Sequence, residues 1–127
     1  MRQREQGAVA PRRRPDGARL LGSFGGHIAA RPRAVFEALD ARLRPAEPGR
    51  GLYLADASAF LVVAQGGWWY RGEYRVVPDE RGSNLEHRIF TVARTAPRIA
   101  RLTGRRAIAA APAEFQRLLR ELRLDLE

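Results

Sequence analysis

Several residue types and patterns are missing from this chain, and each absence removes a class of function. The 127 residues contain no cysteine, which excludes disulfides, thiolate metal sites, iron–sulfur clusters and a cysteine nucleophile, and fits a reducing compartment. No apolar run approaches the roughly 20 residues that a membrane-spanning helix needs. The charged N-terminus is not followed by the apolar stretch of a signal peptide. We therefore expect a cytoplasmic protein without a membrane span.

The common phosphate-binding and catalytic motifs are also absent. The sequence contains no G-x-x-x-x-G-K-[ST], G-x-G-x-x-G, G-x-S-x-G or H-E-x-x-H pattern. Its two histidines, His27 and His87, come without a spaced set of carboxylates, so they do not predict a metal site. Ser23 lies among glycines but inside a predicted strand, which argues against a serine hydrolase. We expect neither a metal nor a cofactor.

Lysine is absent too, so all 23 basic residues are arginine, and the formal net charge is +9. This bias, with many alanines, is typical of a GC-rich bacterial genome. Residues 1–19 carry six arginines against Glu5 and Asp16 and almost no large apolar residue. That composition predicts a disordered basic tail. One interpretation of the tail is a solvated leader or a misplaced start codon. The other is an arm that binds nucleic acid or an anionic surface.

The remainder, residues 20–127, is expected to form one domain, because 45% of the chain is hydrophobic and its length supports one core but not two. Residues 20–30 predict a strand in which Leu20, Phe24 and Ile28 share a face. Its glycines indicate a bend or a bulge. Pro32–Arg44 predicts an amphipathic helix with proline at its first position. Two short strands follow at 51–55 and 59–65.

The most informative stretch, residues 68–92, predicts a long β-hairpin. Period-two alternation places an aromatic row on one face of its first strand and charged residues on the other. The row is Trp68, Tyr70, Tyr74 and Val76, with Gly72 as a gap, and the charged set is Arg71, Glu73 and Arg75. On the second strand, Leu85, His87 and Ile89 share the inward face. The charged residues are expected to pair on an outer sheet surface.

The chain ends in a predicted amphipathic helix over Pro112–Leu126, with proline in its first turn and a separate helical turn at 96–102 interrupted near Gly104. Its apolar stripe is formed by Phe115, Leu118, Leu119, Leu122 and Leu126. The order of strand, helix, antiparallel strands and long C-terminal helix predicts an α+β fold with the helices on one face of a curved sheet.

This order resembles the START-like, helix-grip superfamily (SRPBCC), which includes polyketide cyclases/dehydrases, lipid-transfer proteins and plant pollen allergens. Residues 28–39, IAARPRAVFEAL, are similar to the family's pattern of apolar strand, small residue, Pro, x, x, Val-Phe/Trp, x, x, Leu. The hairpin WYRGEYRVVP at 69–78, its Gly82-Ser83 turn and FQRLLREL at 115–122 are similar as well. The resemblance covers about residues 20–126.

The resemblance implies a curved antiparallel sheet that grips the C-terminal helix, with a cavity between them for a lipid, polyketide or other hydrophobic molecule. We expect a binding protein rather than an enzyme. The expected ligand-binding residues are Phe24, Tyr70, Tyr74, Leu85, His87, Ile89, Phe115, Leu119 and Leu122. The chain is short for this family, so the cavity is either small or filled, and an uncovered sheet edge invites a second copy to form a homodimer.

Two other functions remain open. His87 in an apolar pocket beside Tyr74 fits an acid/base residue of a cyclase or dehydratase, and His27 is a weaker candidate. The other function is that of a regulatory protein whose arginine-rich tail binds nucleic acid or an anionic surface, which predicts steeply salt-dependent binding.

Trp68 and Trp69 are expected to point to opposite faces of their strand. Only one of them can therefore face the pocket, and the other suits an interface.

Overall fold

Five strands and two helices make up the part of the chain that the computed structural model describes, residues 9–47, 51–66, 69–93 and 97–127. Their bounds are β1 Arg19–Ile28, α1 Pro32–Leu43, β2 Leu52–Asp56, β3 Leu61–Gly66, β4 Tyr70–Asp79, β5 Gly82–Thr91 and α2 Pro97–Leu126. The strands form one open sheet in the order β1-β5-β4-β3-β2, and every neighbouring pair is antiparallel. The predicted α+β layout is confirmed at this level, with the first helix after strand one.

The helix α1 is explained by its sequence. Pro32 occupies its first turn, where a missing N–H costs nothing. Val35, Phe36 and Leu39 follow at helical spacing and are buried against the sheet. Arg42, near its end, forms ion pairs with two carboxylates of α2, those of Glu121 and Asp125. These ion pairs hold the two helices side by side.

The helix α2 is much longer than the sequence predicts, since it runs through both Gly104 and Pro112. The predicted interruption at Gly104 is wrong because this glycine is a packing position: a Cβ there would lie 2.8 Å from Cδ1 of Leu21 on β1. Pro112 stands in the helix interior rather than in the first turn. Packing against the sheet outweighs the low helix propensity of both residues.

Glycines on β1 let α2 lie close across this strand. A Cβ on Gly26 would overlap the side chain of Leu119, and one on Gly22 would lie 2.8 Å from Cδ1 of Ile108. The expected bulge occurs between Leu20 and Gly22. It removes Leu20 from the core face, and this side chain is 55% exposed. The prediction that Leu20 shares a buried face with Phe24 and Ile28 is therefore wrong.

Residues 9–18, called here the N-terminal strap, lie against the sheet. Val9 forms a parallel bridge with Tyr53 on β2, and the Ala10 amide donates to the Tyr53 carbonyl at 3.1 Å. Ala10 is buried with Leu61 and Val63. The prediction of a disordered tail is thus wrong for residues 9–18, while residues 1–8 lie outside the described residues.

Arg71 is the main attachment of the strap. Its side chain is fully buried, and its guanidinium donates to the carbonyls of Pro11 and Arg12 at 2.8 and 3.1 Å. It also donates to Glu73 and Gln65. Composition alone predicts disorder here because the strap is held through main-chain acceptors, which leave no trace in residue type.

Glu73 completes this network on the face opposite the helices. Its carboxylate accepts from Arg71 at 2.9 Å and from Arg14 of the strap at 2.9 and 3.0 Å. The two arginines outweigh the effect of burial and lower the pKa of Glu73. Arg14 also lies over the Phe90 ring, 4.3 Å from its centroid. Arg71 and Glu73 were expected on an open surface, and the strap covers both, whereas Arg75 is exposed.

Candidate functional site

A cavity of about 310 Å³ lies between β4, β5 and α2. Most of its wall is aromatic and aliphatic, and Leu43 at the end of α1 contributes to it. The lining residues are Leu43, Tyr70, Tyr74, His87, Ile89, Ala107, Ala111, Glu114, Phe115 and Leu118. Here Tyr70 and Tyr74 of the aromatic row face the C-terminal helix.

Five of the nine residues expected to bind a ligand line this cavity, namely Tyr70, Tyr74, His87, Ile89 and Phe115. Leu85, Leu119 and Leu122 are buried in the main core instead. Phe24 is partly buried against the same core, and its ring contacts those of His87 and Phe115. These four positions support the wall from behind rather than form its surface.

The centre of the site is an aromatic stack built by strand register. Tyr74 and His87 are directly opposite each other across β4 and β5. Their rings stack with centroids 3.9 Å apart and planes 7° apart. Phe115 of α2 lies next to His87 at 5.8 Å and nearly parallel. Because the residues come from three elements, the stack fixes the helix against the hairpin.

His87 is a neutral imidazole in this setting. It is 5% exposed, and burial lowers its pKa from 6.5 to about 4. Its Nδ1 lies 3.1 Å from the Glu73 carbonyl oxygen, which can only accept, so the hydrogen is assigned to Nδ1. The lone pair is then on Nε2. At neutral pH this ring offers a hydrogen-bond acceptor rather than a charge.

Tyr70 fills the gap that Gly72 leaves in the aromatic row. A Cβ on Gly72 would overlap the Tyr70 hydroxyl and lie 2.9 Å from its Cζ and 3.3 Å from Cε1 of His87. The glycine therefore allows the Tyr70 phenol to lie across the strand beside the imidazole. The gap was predicted from the sequence, and its occupant is a side chain of the same strand.

Both tyrosines of the cavity stay protonated. Burial raises the pKa of Tyr70, and its interaction with Tyr74 lowers it in part. Burial also raises the pKa of Tyr74, followed by the effect of Tyr70. The negative charge of Glu114 raises the pKa of both. Glu114 lines the cavity and is exposed, which places it at the cavity mouth.

Five lining residues were not among those expected, and two of them, Ala107 and Ala111, were missed because the predicted helix begins only at Pro112. The five are Leu43, Ala107, Ala111, Glu114 and Leu118. Ala107 and Ala111 precede Phe115 at spacings of four residues, which places all three on one helix face. Following this period upstream through Pro112 would have found them. A glutamate two residues after Pro112 would suit the positive end of a helix that begins there, but this explanation of Glu114 fails because the helix begins at Pro97.

The remaining candidates lie away from the cavity. His27 is near the surface, where Nε2 lies 3.1 Å from a carboxylate oxygen of Asp79 at the hairpin turn. Trp69 is half-buried and contacts Tyr70 edge-on at 5.5 Å, while Trp68 lies outside the described residues. Among the residues that the structure describes, no group of three or more histidine and carboxylate side chains could hold a metal ion. In the same ranges, no helix is long and apolar enough to cross a membrane.

Comparisons with protein-family models, with curated proteins and with solved structures find no match to this chain. The geometry of the cavity must therefore carry the functional argument.

Proposed function

We propose that this protein binds a small apolar or amphipathic molecule in the cavity between the sheet and α2, in a helix-grip arrangement like that of the START-like proteins. The observation that carries the proposal is a cavity walled by Tyr70, Tyr74, Phe115 and neutral His87. Apolar and aromatic walls with a few convergent polar groups are typical of ligand sites. Burial of the ligand's apolar surface would supply about 25 cal/mol per Å².

The size of the cavity narrows the ligand. At about 310 Å³ it is at the lower end of the usual range for ligand pockets, roughly 300–1,000 Å³. This volume favours a compound of one or two rings over a sterol or a long-chain lipid. The flat stack of Tyr74, His87 and Phe115 suits a planar ring in the same orientation.

An enzymatic role for His87 has weaker support. The imidazole does line the cavity beside Tyr74, as a cyclase or dehydratase would require. A pKa of about 4, however, makes it a poor base near neutrality, where an effective general base has a pKa close to the working pH. Its contact with Tyr74 is ring to ring, so the phenol is not aligned to exchange a proton with it.

Polyanion binding by the tail has less support than the sequence suggests. Arg12 is paired with Asp56 at 2.9 Å and Arg14 with Glu73. A pair of opposite charges has little net attraction for a phosphate backbone. Two of the six tail arginines are therefore already neutralised by the protein itself.

Native mass spectrometry of freshly purified protein, followed by solvent extraction, tests the proposed binding first. Calorimetric titration with indole, a neutral planar probe, then measures the affinity of the empty cavity for an apolar ring. Ala111→Leu fills the cavity from α2 and should weaken indole binding by about tenfold or more. Ala110→Leu makes the same change at an exposed neighbour and should leave binding unchanged. The absence of both a co-purified compound and indole binding would overturn the proposal.

A further inference from the structure

We infer that the cavity selects a planar compound carrying an amine or another cationic nitrogen donor. This inference rests on the proposed function and names the ligand class for the same site. Among the described residues that line the cavity there is no arginine, although the chain has 23 basic residues. Within that described lining, Glu114 is the residue with a formally charged side chain.

Glu114 differs from the other carboxylates near the end of α2. Glu121 and Asp125 pair with Arg42, and Glu127 accepts a hydrogen bond from the Ala29 amide at 2.9 Å. Glu114 has no ion pair or hydrogen bond within the part of the chain that the structure describes. A carboxylate at the mouth of an apolar cavity, to which the described residues supply no partner, can pair with a cationic ligand.

The carboxylate and the aromatic wall face the same space. Glu114, Tyr70 and Tyr74 line the same cavity, and the charge of Glu114 contributes to raising the pKa of both tyrosines. Aromatic faces attract a cation, with energies of roughly 0.5–2 kcal/mol or more as the site is desolvated. A cation in this cavity would therefore meet Glu114 and the tyrosine rings together.

The third polar group of the wall also suits a hydrogen-bond donor. Nδ1 of His87 donates to the Glu73 carbonyl, so Nε2 can only accept while the ring is neutral. An N–H of a planar heterocycle would satisfy this acceptor. A carboxylate or phosphate ligand would instead face the Glu114 charge, with no arginine in the described lining to offset it. The wall therefore disfavours fatty acids and other anions.

Three probes with the same ring test this selectivity by calorimetry at pH 7 and low salt: tryptamine, 3-ethylindole and indole-3-propionate. They carry a positive charge, no charge and a negative charge on side chains of similar size. We expect tryptamine to bind about tenfold more tightly than 3-ethylindole, and indole-3-propionate to bind most weakly. The preference for tryptamine should decrease at high salt, because the mouth of the cavity is open to solvent.

Glu114→Gln isolates the carboxylate, and Glu37→Gln on an exposed position of α1 is the matched control with the same change in net charge. Glu114→Gln should abolish the preference for tryptamine and leave 3-ethylindole binding within about twofold of the parent. Glu37→Gln should preserve the preference. Equal binding of the three probes, or a preference that survives Glu114→Gln, would overturn the inference and leave the proposed binding function intact. Failure of all three probes to bind would overturn the inference, and if no compound co-purifies with the protein it would overturn the proposed function as well.

Discussion

The two faces of β4 use the same strand for opposite purposes. Tyr70 and Tyr74 face α2 and line the cavity, and Gly72 between them leaves room for the Tyr70 phenol. Arg71 and Glu73, one position out of phase, face the strap and form a buried ionic network. Alternation along the strand gives its two faces different packing: one face borders a cavity, and the other is fixed by buried ionic contacts. Contacts on the ionic face can therefore stabilise the hairpin without filling the cavity.

Replacing Arg71, on the ionic face of β4, should cause the largest loss of stability. Arg71→Ala leaves the carbonyls of Pro11 and Arg12 without their donor and removes one of the two partners of Glu73. Breaking a buried ion pair from one side costs about 3–5 kcal/mol. The free energy of unfolding measured in urea should fall by that amount. Arg75→Ala, on the same face but exposed, should stay within about 0.5 kcal/mol of the parent, and a similar loss in both variants would contradict the asymmetry.

On the cavity face, the pH dependence of the free energy of unfolding should show the lowered pKa of His87. Its pKa is about 4 in the folded protein against 6.5 ordinarily, so the unfolded chain binds the proton first as pH falls. Acidification from pH 7 through this interval therefore favours unfolding, by about 3 kcal/mol once pH 4 is passed. Urea unfolding at several pH values measures this slope.

The non-titrating variant His87→Phe provides the reference for that measurement. Its stability should vary less between pH 7 and 4.5 than that of the parent. The pKa of Glu73 is lowered by Arg14 and Arg71 despite its burial, and since both proteins keep these contacts, its contribution is common to them. An unchanged slope in His87→Phe would show that the imidazole is not held neutral by burial.

Arg14 and Arg13 are neighbours in the strap that sharpen the comparison on the ionic face. Arg14 pairs through two hydrogen bonds with Glu73 and lies over Phe90, whereas Arg13 forms neither contact within the described residues and is exposed. Arg14→Ala should cost about 1.5 kcal/mol. Arg13→Ala should cost less than about 0.5 kcal/mol. Thermal unfolding of the two single variants distinguishes them, and equal losses would show that the strap is held without the Glu73 pair.

Gly72→Ala should have the smallest effect on stability and a clear effect on the cavity. The added methyl group overlaps the Tyr70 hydroxyl, and because a phenol can turn, we expect a cost of about 1 kcal/mol. Tyr70 would leave its place beside His87, and indole affinity should change by several-fold. Gly66→Ala on β3, where a Cβ meets nothing within 4 Å, is the control. An unchanged affinity in Gly72→Ala would mean that Tyr70 does not shape the site.

The features that the sequence predicts correctly are those set by local periodicity. Alternation along β4 and β5 places Tyr74 and His87 on the same face, and the short turn between Asp79 and Gly82 pairs them directly. Proline at position 32 marks the start of α1. In each case, residues close in the sequence determine the outcome.

The features it misses depend on contacts between distant residues. The strap has a disordered composition, yet Arg71, 59 residues beyond Arg12, binds its backbone. Gly104 and Pro112 predict helix ends, yet Leu21 of β1 packs against Gly104 and the helix continues. Glu114 could be assigned to the cavity only after the helix start was known. Some glycines end a helix and others let a helix pack closely against a neighbour. The two kinds can be distinguished only when the residue that contacts the glycine is known.

The pairing of β1 with β5 predicts an order in which the strands join the sheet. The strands from β2 to β5 pair with their successors in the chain, so each hairpin can close a short loop. Pairing Arg19 with Thr91 must instead close a loop spanning most of the domain, which makes it slow. We therefore expect the first strand and the strap to join the sheet after the other strands have paired. The ionic contacts of the strap should therefore slow unfolding more than they speed folding, so they protect the finished protein kinetically.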